Sequence, residues 1–135
     1  MKNLFALSIV ASVFTVAATA LAAETFDWSV ERSAAKPKER AVAKVLVRPK
    51  AGYHVNLDYP AKLTLTAPDG VTLEKTVHAA KDAPRFDKDG LDFEVGFVAD
   101  TTGTKSFVGT LSLAMCTETS CKPAKEAVSF DVDVK

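Results

Sequence analysis

Residues 91–97 read LDFEVGF, a stretch in which every second side chain is large and apolar. The same period of two recurs at Phe107–Met115, where Gly109 interrupts the apolar face, and at Val128–Val134. Alternation of this kind, with one apolar and one polar face, is typical of antiparallel strands that share a core. Together, these three alternating stretches predict an antiparallel β protein.

Four weaker strand candidates precede this region: Thr25–Val30, Val42–Arg48, Leu63–Thr66 and Val71–Val77. Turn signals such as Pro68-Asp69-Gly70 separate the candidates, because Pro presets φ and Gly accepts positive φ. The charged segment Ser33–Arg40 is expected to be a loop, and Trp28 to pack in the core. About seven short strands in one domain, residues 23–135, indicate an immunoglobulin-like antiparallel β-sandwich.

The first residues have the pattern of a secretory signal peptide. A short positive start with Lys2 precedes the uncharged apolar run Leu4–Ala20, and Ala20-Leu21-Ala22 fits the small-x-small cleavage site. A transmembrane anchor is the competing interpretation, but it needs about 20 apolar residues and different flanks. We expect residues 1–22 to be removed and the mature protein to be exported, with no membrane insertion after cleavage.

Charge balance excludes several partner classes. The chain has 17 basic and 17 acidic side chains, so loss of Lys2 with the signal peptide leaves 16 against 17, a net charge of −1. A chain without a strong positive field offers no electrostatic basis for binding nucleic acid or anionic lipid. We therefore expect neither as a partner.

Cys116 and Cys121 are the two cysteines of the chain. In an oxidising compartment such a pair predicts a disulfide. The ring is small, and a six-residue ring is worth roughly 2 kcal/mol by chain entropy, against about 4–5 for one spanning a domain. A disulfide near the surface that adds little stability is compatible with redox exchange. A purely structural disulfide is the alternative interpretation at this point.

Two motifs resemble a known family. The segment Met115–Pro123, MCTETSCKP, followed by the alternating strand Ala127–Val134, is similar to the active-site hairpin of the N-terminal domain of the thiol–disulfide interchange protein DsbD. Upstream, Gly52–Asn56, GYHVN, followed by Tyr59-Pro60 resembles the aromatic-rich segment of the same family.

The resemblance implies a periplasmic domain whose cysteines shuttle between dithiol and disulfide without a cofactor. Cys121 would be the attacking thiol and Cys116 the resolving one, while Tyr53 and His54 would line the site beside them. Pro123 follows the second cysteine in the family's hairpin. Thioredoxin-like or membrane redox proteins would donate electrons, and periplasmic oxidoreductases would accept them.

The sequence departs from the family in two ways. It carries neither the membrane electron conduit nor the thioredoxin-like domain that normally accompany this domain, so we expect a stand-alone module. It also lacks the aromatic pair of the family's capping loop. The nearest candidate is Ala83-Pro84-Arg85-Phe86, in which Phe86 would be the cap.

Two further interpretations belong to other functional classes. One is a non-catalytic binding or scaffold domain that keeps a structural disulfide. The other is copper handling, since His54, Met115 and the two thiols are ligand types that suit Cu(I). The spacing of these residues is not diagnostic of a metal site, so none is predicted. No nucleophile-elbow motif supports Ser/His/Asp catalysis.

Overall fold

The computed structural model describes residues 24–135. The predicted signal peptide, residues 1–22, lies outside the described residues. Within residues 24–135 there is no helix long and apolar enough to cross a membrane.

Nearly all of the regular secondary structure in the described residues is β-strand. The ten strands are β1 (Phe26–Arg32), β2 (Arg40–Pro49), β3 (His54–Val55), β4 (Lys62–Thr66), β5 (Val71–Leu73), β6 (Val77–Ala79), β7 (Arg85–Asp87), β8 (Gly90–Ala99), β9 (Gly103–Cys116) and β10 (Cys121–Val134). A single turn of 3₁₀ helix, Ala80–Asp82, lies between β6 and β7.

The strands form two five-stranded sheets. The first has the order β1-β2-β8-β5 with β7 also paired to β8, and the second has the order β10-β9-β4-β6 with β3 also paired to β9. Every pairing between named strands is antiparallel. The predicted antiparallel β-sandwich is confirmed, with β3, β6 and β7 as short strands beyond the seven expected.

Two predicted boundaries were wrong. The candidate Val71–Val77 is two strands in different sheets, because β5 pairs with β8 whereas β6 pairs with β4. The last strand begins at Cys121, six residues before Ala127, because its ladder with β9 continues beyond the point where its apolar alternation stops. The predicted loop at Ser33–Arg40 is confirmed except that Arg40 already begins β2.

The core lies between the apolar faces of the two sheets. At its centre the rings of Phe97, Phe107 and Phe130 are in contact, with centroids 5.0 Å apart in the first pair and 5.1 Å in the second. Trp28 is half-buried and packs against the edge of this core. Gly109 allows β4 to approach β9, because a Cβ there would lie 2.0 Å from the Thr64 carbonyl oxygen.

One side of the sandwich has two links between the sheets, made by side chains at or next to the edge strand β1. At one end, Glu24, which precedes β1, forms an ion pair with Lys122 of β10. At the other end, Arg32 donates a hydrogen bond to the Asp131 carbonyl oxygen. The two sheets are therefore joined at both ends of this side by side chains, without a ladder between β1 and β10.

His78, on β6, is a buried polar residue with an unusual environment. It is 9 % exposed, and its Nε2 atom has no hydrogen-bond partner among the described residues. Burial lowers the pKa of the imidazole below its ordinary 6.5, and a hydrogen bond to the Lys75 backbone opposes this shift only in part. The folded protein therefore holds His78 in its neutral form.

This environment predicts a pH-dependent stability. Because the unfolded chain binds a proton at His78 more readily than the folded one, the free energy of unfolding should decrease as the pH falls below 6.5. The decrease should reach at most about 1.4 kcal/mol per pH unit and end at the lowered folded pKa. Chemical denaturation between pH 8 and pH 5 measures it. His78→Leu should lack the decrease, and an equal decrease in that variant would contradict the assignment.

Candidate functional site

The site is built on the hairpin of β9 and β10. Its ladder pairs fourteen residues of each strand without a bulge, from Gly103 opposite Val134 to Cys116 opposite Cys121. The last of these pairs is the disulfide, with a Cα–Cα distance of 3.9 Å. The cysteines are therefore direct cross-strand neighbours, and the strands themselves bring them together.

The turn that joins the cysteines is closed by hydrogen bonds of its own. The Thr117 N–H donates to the Ser120 carbonyl oxygen over 2.7 Å, and the Thr117 hydroxyl accepts from the Ser120 N–H. Glu118 and Thr119 occupy the tip with negative φ. Two-residue hairpins usually need positive φ in the tip to match the strand twist. This turn therefore does not set the twist of the hairpin by itself.

The two cysteines differ sharply in exposure. Cys121 is exposed on the edge strand, whereas Cys116 is 5 % exposed. Cys116 lies on the face of β9 opposite to Met115, which points into the core, because successive side chains of a strand alternate. A nucleophile approaching from solvent therefore meets the sulfur of Cys121 first.

The segment between β3 and β4, residues 56–61, buries this outer face of β9. Asn56 N–H donates to the Ala114 carbonyl oxygen over 2.9 Å, and the Tyr59 hydroxyl lies 3.4 Å from the Ser112 hydroxyl. Ala114 is 1 % exposed and Ser112 is 7 % exposed, although neither faces the core. The loop thus covers the outer face of β9 next to Cys116, at Ser112 and Ala114, a feature that strand periodicity does not reveal.

His54 and Tyr53 approach the disulfide from the far side of β9. In the pairing of β3 with β9, His54 is directly opposite Cys116. Directly opposed residues have Cβ atoms about 4.5–5.5 Å apart. His54 is exposed, and Tyr53 is half-buried and packs against the core. His54, Cys116 and Cys121 therefore form a row across three adjacent strands.

One charge next to the disulfide is engaged in an ion pair. Lys122 follows Cys121 and forms an ion pair with Glu24 over 3.0 Å. The hydrogen bond in this pair raises the pKa of Lys122 and lowers the pKa of Glu24, and Tyr53 is close enough to add to the effect on Lys122. Glu24 was not anticipated as part of the site, since it is 98 residues from Lys122 in the chain.

The remaining predicted site residues, Pro123 and Phe86, lie in different sheets. Pro123 is on the edge strand opposite Ala114. Phe86 is half-buried on β7, where it pairs with Leu91 and lines an open cavity of about 410 Å³ with Leu57. Neither cysteine lines that cavity. Phe86 as a cap over the cysteines thus stays a prediction.

The ligand set considered for copper is divided between two faces. Met115 points into the core with no exposure, while His54 and Cys116 are on the outer side of the sheet. In residues 24–135 no three His, Cys, Asp or Glu side chains are grouped as metal ligands. What the arrangement offers chemically is an accessible disulfide sulfur beside a buried one.

Comparison with known proteins adds no identification. No model of a protein family matches the chain. No curated protein matches it either.

The geometry predicts a small stability change on reduction. Because the ladder and the turn bonds hold the hairpin without the bridge, breaking the disulfide should lower the free energy of unfolding by about 2 kcal/mol or less. Denaturant titration of the oxidised and reduced protein measures this. The double variant Cys116→Ser, Cys121→Ser is the control without reductant. Complete unfolding on reduction would show that the bridge, rather than the ladder, holds the hairpin.

Proposed function

We propose that this protein is an exported thiol–disulfide exchange module that passes electrons through Cys116 and Cys121 to other proteins of the periplasm. The observation that supports it most is the difference in exposure between the two directly paired cysteines. Exchange requires one sulfur open to attack and a second one held within reach, as found here. The resemblance of the hairpin motif to the DsbD N-terminal domain supports the same function.

The chemistry runs in two balanced steps. In the reduced domain, the Cys121 thiolate attacks one sulfur of a partner disulfide, and the partner's other cysteine leaves as a thiolate. The Cys116 thiolate then attacks the Cys121 sulfur and releases the partner's remaining cysteine. The partner gains two electrons and the domain is left with its own disulfide. A donor dithiol restores the starting state by the reverse steps.

His54 has a natural part in this scheme. When a donor thiolate attacks Cys121 of the oxidised domain, the negative charge leaves on Cys116. Its cross-strand neighbour is His54. A protonated imidazole beside a thiolate stabilises its charge. Because Cys116 is buried, its thiolate depends more strongly on a positive charge nearby, since a buried anion without a neighbouring cation is costly.

The partners follow from the chemistry. A domain that uses only two sulfurs needs no cofactor, but it must receive electrons from another dithiol protein. We propose thioredoxin-like or membrane redox proteins as donors and periplasmic oxidoreductases as acceptors, as in the family that the motif resembles. The predicted signal peptide supports this compartment.

A second function is favoured by the turn. Because Glu118 and Thr119 lack positive φ, the turn does not supply the twist of the strands it joins. A disulfide directly behind it holds the strands together at that point. In this alternative the domain is a binding or scaffold protein, and Cys116–Cys121 is a structural clamp.

Trapping separates the two functions. Cys116→Ser leaves Cys121 free and removes the resolving thiol, so mixed disulfides with partners should accumulate. The matched variant Cys121→Ser should trap far less, because its remaining thiol is the buried one. Both variants are expressed with the leader in a bacterial host, and adducts are identified by non-reducing gels and mass spectrometry. Absence of adducts, with a reduction potential below about −300 mV, would favour the structural clamp.

The role of His54 predicts a rate effect. His54→Ala should slow reduction of the disulfide by dithiothreitol about two- to fivefold, the range expected for a charge pair worth 0.5–1 kcal/mol. Stopped-flow kinetics measure the rate. His54→Lys keeps a cation and should be reduced about as fast as the unchanged protein, whereas identical rates for all three proteins would exclude the role.

A further inference from the structure

The free edge of β10 lies next to the exposed cysteine. In its sheet β10 is the terminal strand, and among residues 24–135 the strand paired along its length is β9. An edge strand presents unpaired N–H and C=O groups, which are a template for another strand. Which groups are presented depends on the register of the hairpin.

The register determines the outward groups. Thr117 and Ser120 form the hydrogen-bonded pair that closes the hairpin. Because hydrogen-bonded and non-hydrogen-bonded pairs alternate along an unbroken antiparallel ladder, the next pair, Cys116 and Cys121, is of the second kind. The odd-numbered residues of β10 therefore direct their N–H and C=O groups away from β9. Pro123, which has no N–H, occupies one of these outward positions.

The far end of β10 agrees with this register and is covered. The Asp131 carbonyl accepts a hydrogen bond from Arg32, and Lys135 N–H donates to the Ala35 carbonyl over 3.0 Å. Arg32 is the last residue of β1 and Ala35 lies in the loop that follows it, whereas Asp131 and Lys135 are at the end of β10. The chain thus covers its own edge from Asp131 onward.

At the near end the outward backbone groups are open, since the Glu24–Lys122 ion pair there is made by side chains. Within the described part of the chain, no hydrogen bond engages the outward backbone groups of Lys125, Ala127 or Ser129. These three residues follow Cys121 and Pro123 in the same row of outward-directed positions. The open portion of the edge and the exposed sulfur therefore form one continuous strip, defined here as the docking edge, residues 121–129.

We propose that the docking edge binds an extended, cysteine-bearing segment of a partner polypeptide as an additional β-strand. Alternating N–H and C=O groups are complementary to one chemistry, an extended peptide backbone. Cys121, at the end of the row, specifies that this backbone carries a thiol or disulfide. The proposal rests on the exchange function and adds to it the mode by which a partner is held.

Pro123 defines where pairing stops. It removes the one outward N–H between Cys121 and Lys125, so a partner strand is bound along Lys125–Ser129 and loses a backbone bond beside the sulfurs. The partner's cysteine is then close to Cys121 without being fixed in the ladder. That freedom suits two sulfurs that must approach, bond and separate.

Amide exchange tests the docking edge. Cys116→Ser is linked through Cys121 to short Thr/Val-rich peptides with one cysteine near either end, so that both strand directions are sampled. NMR hydrogen exchange should then show protection of the amides of Lys125, Ala127 and Ser129 by about tenfold or more. Glu126 and Val128, already paired to β9, should change little. A linked peptide that leaves the odd-numbered amides unprotected overturns the proposal.

A serine-containing peptide separates this proposal from the exchange function. Without a cysteine it forms no mixed disulfide, so chemical-shift changes of the odd-numbered amides at millimolar concentration report strand docking alone. Changes there support the docking edge even if no exchange occurs, and no change at saturation in both experiments refutes it. Mixed disulfide formation without amide protection preserves exchange and rejects the edge.

Edge variants supply the final comparison. Ala127→Pro removes the central outward N–H without taking a bond from β9, so peptide linkage should be at least about fivefold slower than in Ala127→Ser. Thermal melting of both variants shows whether each is folded, and Lys125→Pro repeats the test at a second position. Size-exclusion chromatography without peptide gives the other outcome. A dimer with protected odd-numbered amides would assign the edge to a second copy and overturn the proposal.

Discussion

The ladder between β9 and β10 is the constraint on which the rest of the structure depends. It continues through fourteen pairs, places Phe107 beside Phe130 in the core and ends by setting Cys116 opposite Cys121. Because the register is unbroken, the pairing that sets Phe107 beside Phe130 in the core also sets the two cysteines opposite each other. A shift by one residue would turn the apolar face of β10 to solvent and separate the two sulfurs.

The difference in exposure between Cys116 and Cys121, more than the disulfide bond itself, determines what chemistry the site can support. A bridge between two buried cysteines would be inert, and a bridge between two exposed ones would offer no preferred sulfur. Here Cys116 lies on β9, between β10 and β3, while Cys121 lies on the edge strand. The position of each strand in the sheet thereby determines which cysteine is exposed to solvent.

Local alternation was enough to predict the sandwich and the strands β8, β9 and β10, because an apolar face of period two needs no knowledge of distant residues. It failed at Val71–Val77, since a pattern does not tell which sheet a strand joins. It also missed the start of β10, where Lys122 lies on the inward side and reaches Glu24. The cysteine pair was predictable from spacing, but its asymmetric burial depends on β3, a strand about sixty residues earlier in the chain that pairs with β9 at Cys116 and leaves β10 at the edge.

The turn between the cysteines has a consequence for how partners recognise the protein. Its bonds between Thr117 and Ser120 do not pass through the sulfurs, so we expect the hairpin to keep one shape whether the bridge is closed or open. If the domain exchanges disulfides as proposed, its shape would give a partner no means of distinguishing the two redox states. Oxidised and reduced molecules would then compete equally for the same donors and acceptors, and relative abundance and reduction potential alone would set the direction of electron flow.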